Sequence, residues 1–354
     1  MATRFLAALS LCAAGCLIAG AAWGAEWSPL QVDVWSPPFN TERKHRLETY
    51  TAQAKADKKW NLCVSIPHLR DSYFMAVNYG IIEEARRQGV AVSIFEAGGY
   101  DKSDVQHKQV DACMADKADA LILIGVNYEG WDDKVKRFTA AGHPVIDLIN
   151  LIRSDNVSAR VGADFYEMGR LAAEAVMART SQANVVWMPG PQAAGWAQAG
   201  NAGFTETLAR GKLKLAGTLW GNTEVGAQTK LLSDFLDKNQ DVDFVVGTGV
   251  SAEIAVQELR RRKLSDKIKV VSYYFSPNVY RAIERGSIVA SPTDVPALQS
   301  RLAIDLAIRA LEKKPYPKHI GARVQVVDRN NVGNINLRDS LAPDGFRPIF
   351  SLDK

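Results

Sequence analysis

Residues 61–96 read NLCVSIPHLRDSYFMAVNYGIIEEARRQGVAVSIFE. Residues 61–66 form a short apolar run of strand length. Over 72–88 the period changes: Phe74, Val77 and Ile81 fall on one face of a helix, which Gly89 stops. Residues 90–96 are strand-like again. Strand, helix, strand in this order predicts parallel strands joined by a right-handed crossover. The strands are apolar almost throughout, as expected where helices cover both faces of a sheet.

The same rhythm continues outward. Ser103 is placed to cap a helix running to about Met114, followed by a buried strand at 119–125, a helix at 131–141 ended by Gly142, and a strand at 144–149. It then repeats, with helices at 166–179, 198–210, 225–238 and 251–262 and strands at 184–188, 213–220, 242–247 and 268–273. A further helix, strand and helix (277–285, 287–291, 295–313) precede an apolar stretch at 323–327. A chain of 354 residues is too long for one ordinary core. Two similar α/β domains with no flexible linker between them imply several chain crossovers. Ligands bind open α/β sheets at the carboxyl ends of the strands, so the cleft between the domains is the expected site.

The first 25 residues differ from the rest. Arg4 starts them, an apolar run spans Phe5 to Ala22, and Ala19-Gly20-Ala21 resembles a cleavage site. Residues 1–25 therefore read as a secretory signal peptide; a retained anchor and a lipoprotein box at Ala13–Cys16 are the rival readings. No later segment is long and apolar enough to span a membrane. Residues 26–57 form a lead containing Trp27, Trp35, Pro37 and Pro38. With 43 basic and 39 acidic residues the net charge is +4, scattered along the chain with no basic stripe. That pattern argues against nucleic-acid binding.

Beyond the signal segment only Cys63 and Cys113 remain, an even pair in an oxidising compartment. A disulfide is the natural reading, worth roughly 4 kcal/mol on the loop-entropy model. Two buried thiols in one core are the alternative.

Catalytic and cofactor signals are weak. The five histidines (His45, His68, His107, His143, His319) are dispersed and none sits at metal-ligand spacing. Neither a G-x-S-x-G elbow nor a G-x-x-x-x-G-K loop occurs. Gly247-Thr248-Gly249 follows a strand, but Tyr273 and Tyr274 stand where a dinucleotide site needs an acid for the ribose. We therefore expect no enzyme, no cofactor and no metal. The loops after strand ends are instead rich in aromatic and polar residues. Asp71, Tyr73 and Phe74 follow the first strand, Tyr100 the second, and Tyr128 and Trp131 the third; Asp164, Phe165, Tyr166, Trp196, Tyr273 and Tyr274 lie in the second domain. Aromatic rings converging from two domains can cage a methylated ammonium group or stack on a sugar.

These residues carry a family resemblance spread along nearly the whole mature chain. Asp71-Ser72-Tyr73, Asn78-Tyr79-Gly80, Glu96-Ala97-Gly98-Gly99-Tyr100, Met188-Pro189-Gly190-Pro191, and the end Ser340-Leu341-Ala342-Pro343 with Gly345-Phe346-Arg347-Pro348 resemble TorT-type periplasmic binding proteins. That family serves a membrane sensor histidine kinase for trimethylamine N-oxide respiration. The resemblance implies a type I periplasmic binding-protein fold: two doubly wound parallel-sheet lobes with three chain crossovers. It puts 58–150 and 276–314 in the first lobe and 151–275 and 315–354 in the second. It also implies a location in the periplasm and a partner, the periplasmic domain of a sensor kinase. The implied ligand cage is Phe74, Tyr100, Phe165 and Tyr274, with Asp71 and Tyr73 beside it. Where the family favours tryptophan this chain has Phe74 and Phe165, weaker cation–π faces. Asp164 stands where a neutral residue is common, and an aspartate there hydrogen-bonds the ligand in sugar-binding relatives. Such relatives usually add an arginine near 190–200, and this chain has none between those positions. The expected function is to bind trimethylamine N-oxide or a related small amine or N-oxide and to signal through the kinase. The alternative is a receptor for a sugar or polyol importer.

Overall fold

The computed structural model describes residues 25–353, so the expected signal peptide lies, except for Ala25, outside the described residues. In chain order the first strands are β1 (Leu30–Trp35), β2 (His45–Tyr50) and β3 (Asn61–Ile66). An alternating series follows: α1 (Ser72–Gln88), β4 (Ala91–Glu96), α2 (Ser103–Ala115), β5 (Ala120–Leu123), α3 (Asp132–Ala140), β6 (Val145–Leu148) and β7 (Ala159–Val161). Next come α4 (Phe165–Met177), β8 (Asn184–Gly190), α5 (Gly195–Arg210), β9 (Lys214–Trp220), α6 (Val225–Lys238), β10 (Phe244–Gly247), α7 (Gly249–Arg261) and β11 (Lys269–Ser272). The chain ends with α8 (Pro277–Glu284), β12 (Ala290–Thr293), α9 (Pro296–Leu311), β13 (His319–Ala322), β14 (Gln325–Asp328), a short α10 (Leu337–Ser340) and β15 (Ser351–Leu352).

The larger sheet runs β15-β4-β3-β5-β6-β7-β13-β1-β2 and the smaller β11-β10-β8-β9. Pairing is parallel from β4 to β13 and throughout the smaller sheet. Each lobe repeats one order, with its first strand (β3 or β8) between its second and third. That order places a topological switch point at the carboxyl ends of β3/β5 and β8/β10, facing each other across the cleft.

Local chemistry explains the elements that carry the site. Asp71 caps α1, its Oδ1 accepting from the Phe74 N–H at 2.9 Å. Gly89 ends the helix in the left-handed region (φ 74°), its N–H closing on the Ala85 and Arg86 carbonyls. Helix α1 lies directly on α9, and Gly80 permits this: a Cβ there would sit 2.2 Å from the Ala297 carbonyl oxygen. Cys63 on β3 and Cys113 on α2 form a disulfide, with 5.9 Å between their Cα atoms.

The structure differs from the expected division at several elements. β7, β13 and β15 hydrogen-bond into the larger sheet, although 151–275 and 315–354 were expected in the second lobe. Conversely α8, within the 276–314 expected for the first lobe, buries Val279, Ala282 and Ile283 in the core of the smaller sheet. Strands of two to four residues are recruited by whichever edge stands beside them, which periodicity does not encode. Four passages join the lobes, one more than expected: β7 to α4, β12 to α9, β13 to β14, and the return after α10 to β15, with β12 and β14 paired as an antiparallel ribbon. The lead segment is structured: β1 and β2 form a hairpin whose first strand pairs with β13. Trp27 donates from Nε1 to Glu84 at 2.8 Å, and Tyr50 bonds the buried Asp305, tying the lead to α1 and α9. Ser103 is not a cap but the first residue of α2; it follows Lys102 and accepts from Asn127.

Candidate functional site

The strand ends deliver their loops to one narrow cavity between the lobes. The first lobe contributes Asp71, Tyr73 and Phe74 after β3, Tyr100 after β4, and Ile149 and Asn150 after β6. The second contributes Phe165 from the start of α4, Trp196 from α5, Thr223 after β9 and Tyr274 after β11. Little free space is left between these side chains, about 20 Å³.

Six of these ten residues are aromatic and held close to one another, with Tyr100 reaching across to the second lobe. Tyr73 and Tyr274 have centroids 5.1 Å apart, Tyr73 and Phe74 5.5 Å at 80°, and Phe165 and Trp196 6.3 Å. His68 packs its ring 4.8 Å from Phe74. Tyr100 carries the polar end. Its oxygen accepts from Asn150 Nδ2 and from Trp196 Nε1, each at 3.2 Å. With both lone pairs engaged, its own O–H is left to donate. Asn150 is set at this point by a tight reversal with left-handed Ile149 (φ 65°) and Leu151 (φ 60°) on either side. A β-branched residue in that region is strained and persists only where its surroundings enforce it.

The charge in the wall is one-sided. Among the described residues Asp71 is the carboxylate that lines the cavity, and no lysine or arginine lines it. One Asp71 oxygen caps α1 and the other lies 3.9 Å from His68 Nε2. Burial raises the Asp71 pKa, opposed by His68; burial lowers that of His68, opposed by Asp71. The phenols of Tyr73, Tyr100 and Tyr274 are all raised, first by burial, and so stay protonated. At the mouth, Arg70 of the first lobe bonds Glu224 of the second at 2.6 Å.

Six residues picked from the sequence meet here: Asp71, Tyr73, Phe74, Tyr100, Phe165 and Tyr274. Asp164 does not. Its carboxylate caps α4, Oδ1 accepting from the Glu167 N–H at 3.1 Å. It opens onto a separate groove shared with Asp33 and His45 of the lead hairpin. An aspartate directly before a helix is a preferred cap, and that local demand turns it away from the ligand space. Sequence reading passed over Ile149, Asn150 and Thr223, and it noted Trp196 without placing it in the cage. The aromatic after β8 was a usable signal for Trp196; nothing local marked the other three.

A family model of the periplasmic binding protein domain matches residues 62–315. The chain belongs to the periplasmic binding proteins. It is 34% identical over 323 residues to the periplasmic protein TorT of Escherichia coli (strain K12), covering 89% of this chain and 93% of TorT. A solved solute-binding protein of an ABC transporter from Bradyrhizobium sp. BTAi1, with bound bis-tris, is 37% identical. That match covers 92% of this chain and 99% of the other, with a TM-score of 0.80. A chain from the complex of the TorS sensor domain with TorT, solved in the presence of TMAO, is 29% identical, with a TM-score of 0.75. It covers 82% of this chain and all (100%) of its own. The type I fold and the periplasmic location follow for this binding protein. Among the described residues no helix is long and apolar enough to cross a membrane.

Proposed function

We propose that this periplasmic binding protein is sensory and takes a small methylated amine or amine N-oxide, trimethylamine N-oxide or a close relative, into the interlobe cavity. The observation that carries this reading is the cavity wall itself: among the described residues, aromatic faces from both lobes, one carboxylate and no basic side chain. Aromatic faces attract the partly positive methyl groups of such a ligand. The free Tyr100 O–H meets an oxide or hydroxyl oxygen, and Asp71 favours positive charge. The ligand would stabilise one lobe arrangement, and that arrangement would dock differently on the periplasmic domain of a sensor histidine kinase. TorT supports the sensory role, since its complex with the TorS sensor domain has been solved in the presence of TMAO. The bis-tris in the Bradyrhizobium protein is itself a tertiary amine, which supports the ligand class. Binding without turnover is the reading that the related binding proteins support.

A second reading is favoured by that same relative, a solute-binding protein of an ABC transporter. This chain would then deliver an amine polyol, sugar or polyol to an importer. Thermal unfolding of the mature protein against trimethylamine N-oxide, tetramethylammonium, bis-tris, pentoses and hexoses tests the ligand class. Ligand at about 100 times its Kd stabilises by roughly 2.7 kcal/mol. A shift with sugars alone would overturn the amine reading. Ligand-dependent capture of the kinase's sensor domain tests the role; capture that ligand leaves unchanged would refute sensing.

A further inference from the structure

Behind the cage, in the passage from β12 to α9, lies a carboxylate that does not line the cavity. Asp294 is fully buried. Its Oδ2 accepts from the Tyr73 hydroxyl at 2.6 Å and from Gln299 Nε2 at 2.8 Å, while its Oδ1 has no hydrogen-bond partner. The next residue, Val295, is held left-handed at φ 48°, ψ 62°, a strained conformation for a β-branched residue. Tyr73 belongs to α1 of the first lobe, and its ring faces Tyr274 of the second. A carboxylate in a passage between the lobes therefore holds a wall of the cage.

We infer that Asp294 is a positioning residue that sets the hydrogen-bond polarity of Tyr73 and so makes recognition of a cationic ligand sensitive to pH. This rests on the amine reading of the cavity. An ionised Asp294 only accepts, so the Tyr73 O–H points away from the cavity and the phenol presents its electron-rich side to the ligand. A protonated Asp294 can itself donate to the Tyr73 oxygen, which frees the phenol hydrogen to turn toward the ligand. A cation is then opposed by a donor where it had met lone pairs, and the charge behind the ring is lost. The titratable groups facing Asp294 are Tyr73 from α1 and Tyr273 from the end of β11, both raised by burial and neutral. Burial pushes the Asp294 carboxyl up to about 6, against the pull of the Tyr73 and Gln299 bonds, which puts the switch in a mildly acidic range.

Tetramethylammonium is the probe, because its charge does not change with pH. Its affinity is measured by calorimetry between pH 5 and 8 on the whole mature protein. Loss of the negative charge behind the ring, with the phenol dipole turned against the cation, predicts about five- to tenfold weaker binding at the acidic end. Asp294→Asn removes this step and leaves any slope from Asp71 in place. Tyr73→Phe deprives the carboxylate of its partner and moves the Asp294 titration to higher pH, followed by carbon NMR of labelled aspartate. A step that survives Asp294→Asn overturns the inference. If neither tetramethylammonium nor trimethylamine N-oxide binds at any pH, the amine reading fails; tetramethylammonium failing alone, or Tyr73→Phe leaving the Asp294 titration unmoved, overturns the inference.

Discussion

Replacing Asp71 by asparagine keeps the helix cap and removes the charge. Asparagine caps about as well as aspartate, so the bond from the Phe74 N–H, 2.9 Å in the native protein, is retained and the fold stays within about 0.5 kcal/mol of native stability. The charge is another matter. At an effective dielectric of about 20, a cation about 5 Å from the carboxylate gains roughly 3 kcal/mol. Stripping water from both groups cancels part of this, leaving about 1–2 kcal/mol, or roughly 5–30-fold in Kd. A net-neutral N-oxide has no full charge to lose and should weaken by no more than about threefold, a factor worth under 1 kcal/mol. Calorimetry with tetramethylammonium and trimethylamine N-oxide at pH 8 compares the two. Equal losses for both ligands, or none for the cation, would refute the idea that Asp71 reads charge. Asp71→Ala serves as the control for the cap and should cost about 1 kcal/mol of stability.

Three further outcomes are expected. Tyr100→Phe removes the free donor and the shared acceptor of Asn150 and Trp196, so N-oxide binding should weaken about tenfold while tetramethylammonium changes less; calorimetry on both ligands reads this. Gly80→Ala drives a methyl into the Ala297 carbonyl oxygen, 2.2 Å from the ideal Cβ, and should cost about 2–3 kcal/mol in denaturant unfolding. Paired Cys63→Ser and Cys113→Ser opens a link spanning 50 residues and should cost about 4 kcal/mol, with thermal unfolding under reducing and oxidising conditions as the check.

The two-lobed α/β plan and most of the cage were legible in the chain before any coordinates. Helix α1 was read with its limits, because a helical apolar face and a terminating glycine act within one segment. The strands β3 and β4 were legible for the same reason. Position gave a wide set of candidates, since residues just after a strand in a doubly wound sheet gather at the carboxyl edge; it was the family resemblance that implied Asp71, Tyr73, Phe74, Tyr100, Phe165 and Tyr274 as one cage. Short elements were not legible. β7, β13 and β15 carry two to four residues each, too few for a period, and their sheet is decided by the neighbour that supplies hydrogen bonds. The lead hairpin was hidden because β2 is largely exposed and has no apolar side to betray it.

What the sequence determined by itself is therefore local: caps, periods, breakers and the order in which they recur. Those follow from interactions between residues a few positions apart, which the chain states directly. Tertiary structure alone decided which way a side chain faces when two demands compete. Asp164 looked like a ligand contact and became a cap for α4. Asp294 carried no signal in its own segment, yet 221 positions separate it from the Tyr73 hydroxyl it holds. Burial, the raised carboxyl and the link between cage and passage arise only when α1, β11 and the β12–α9 passage close on one another.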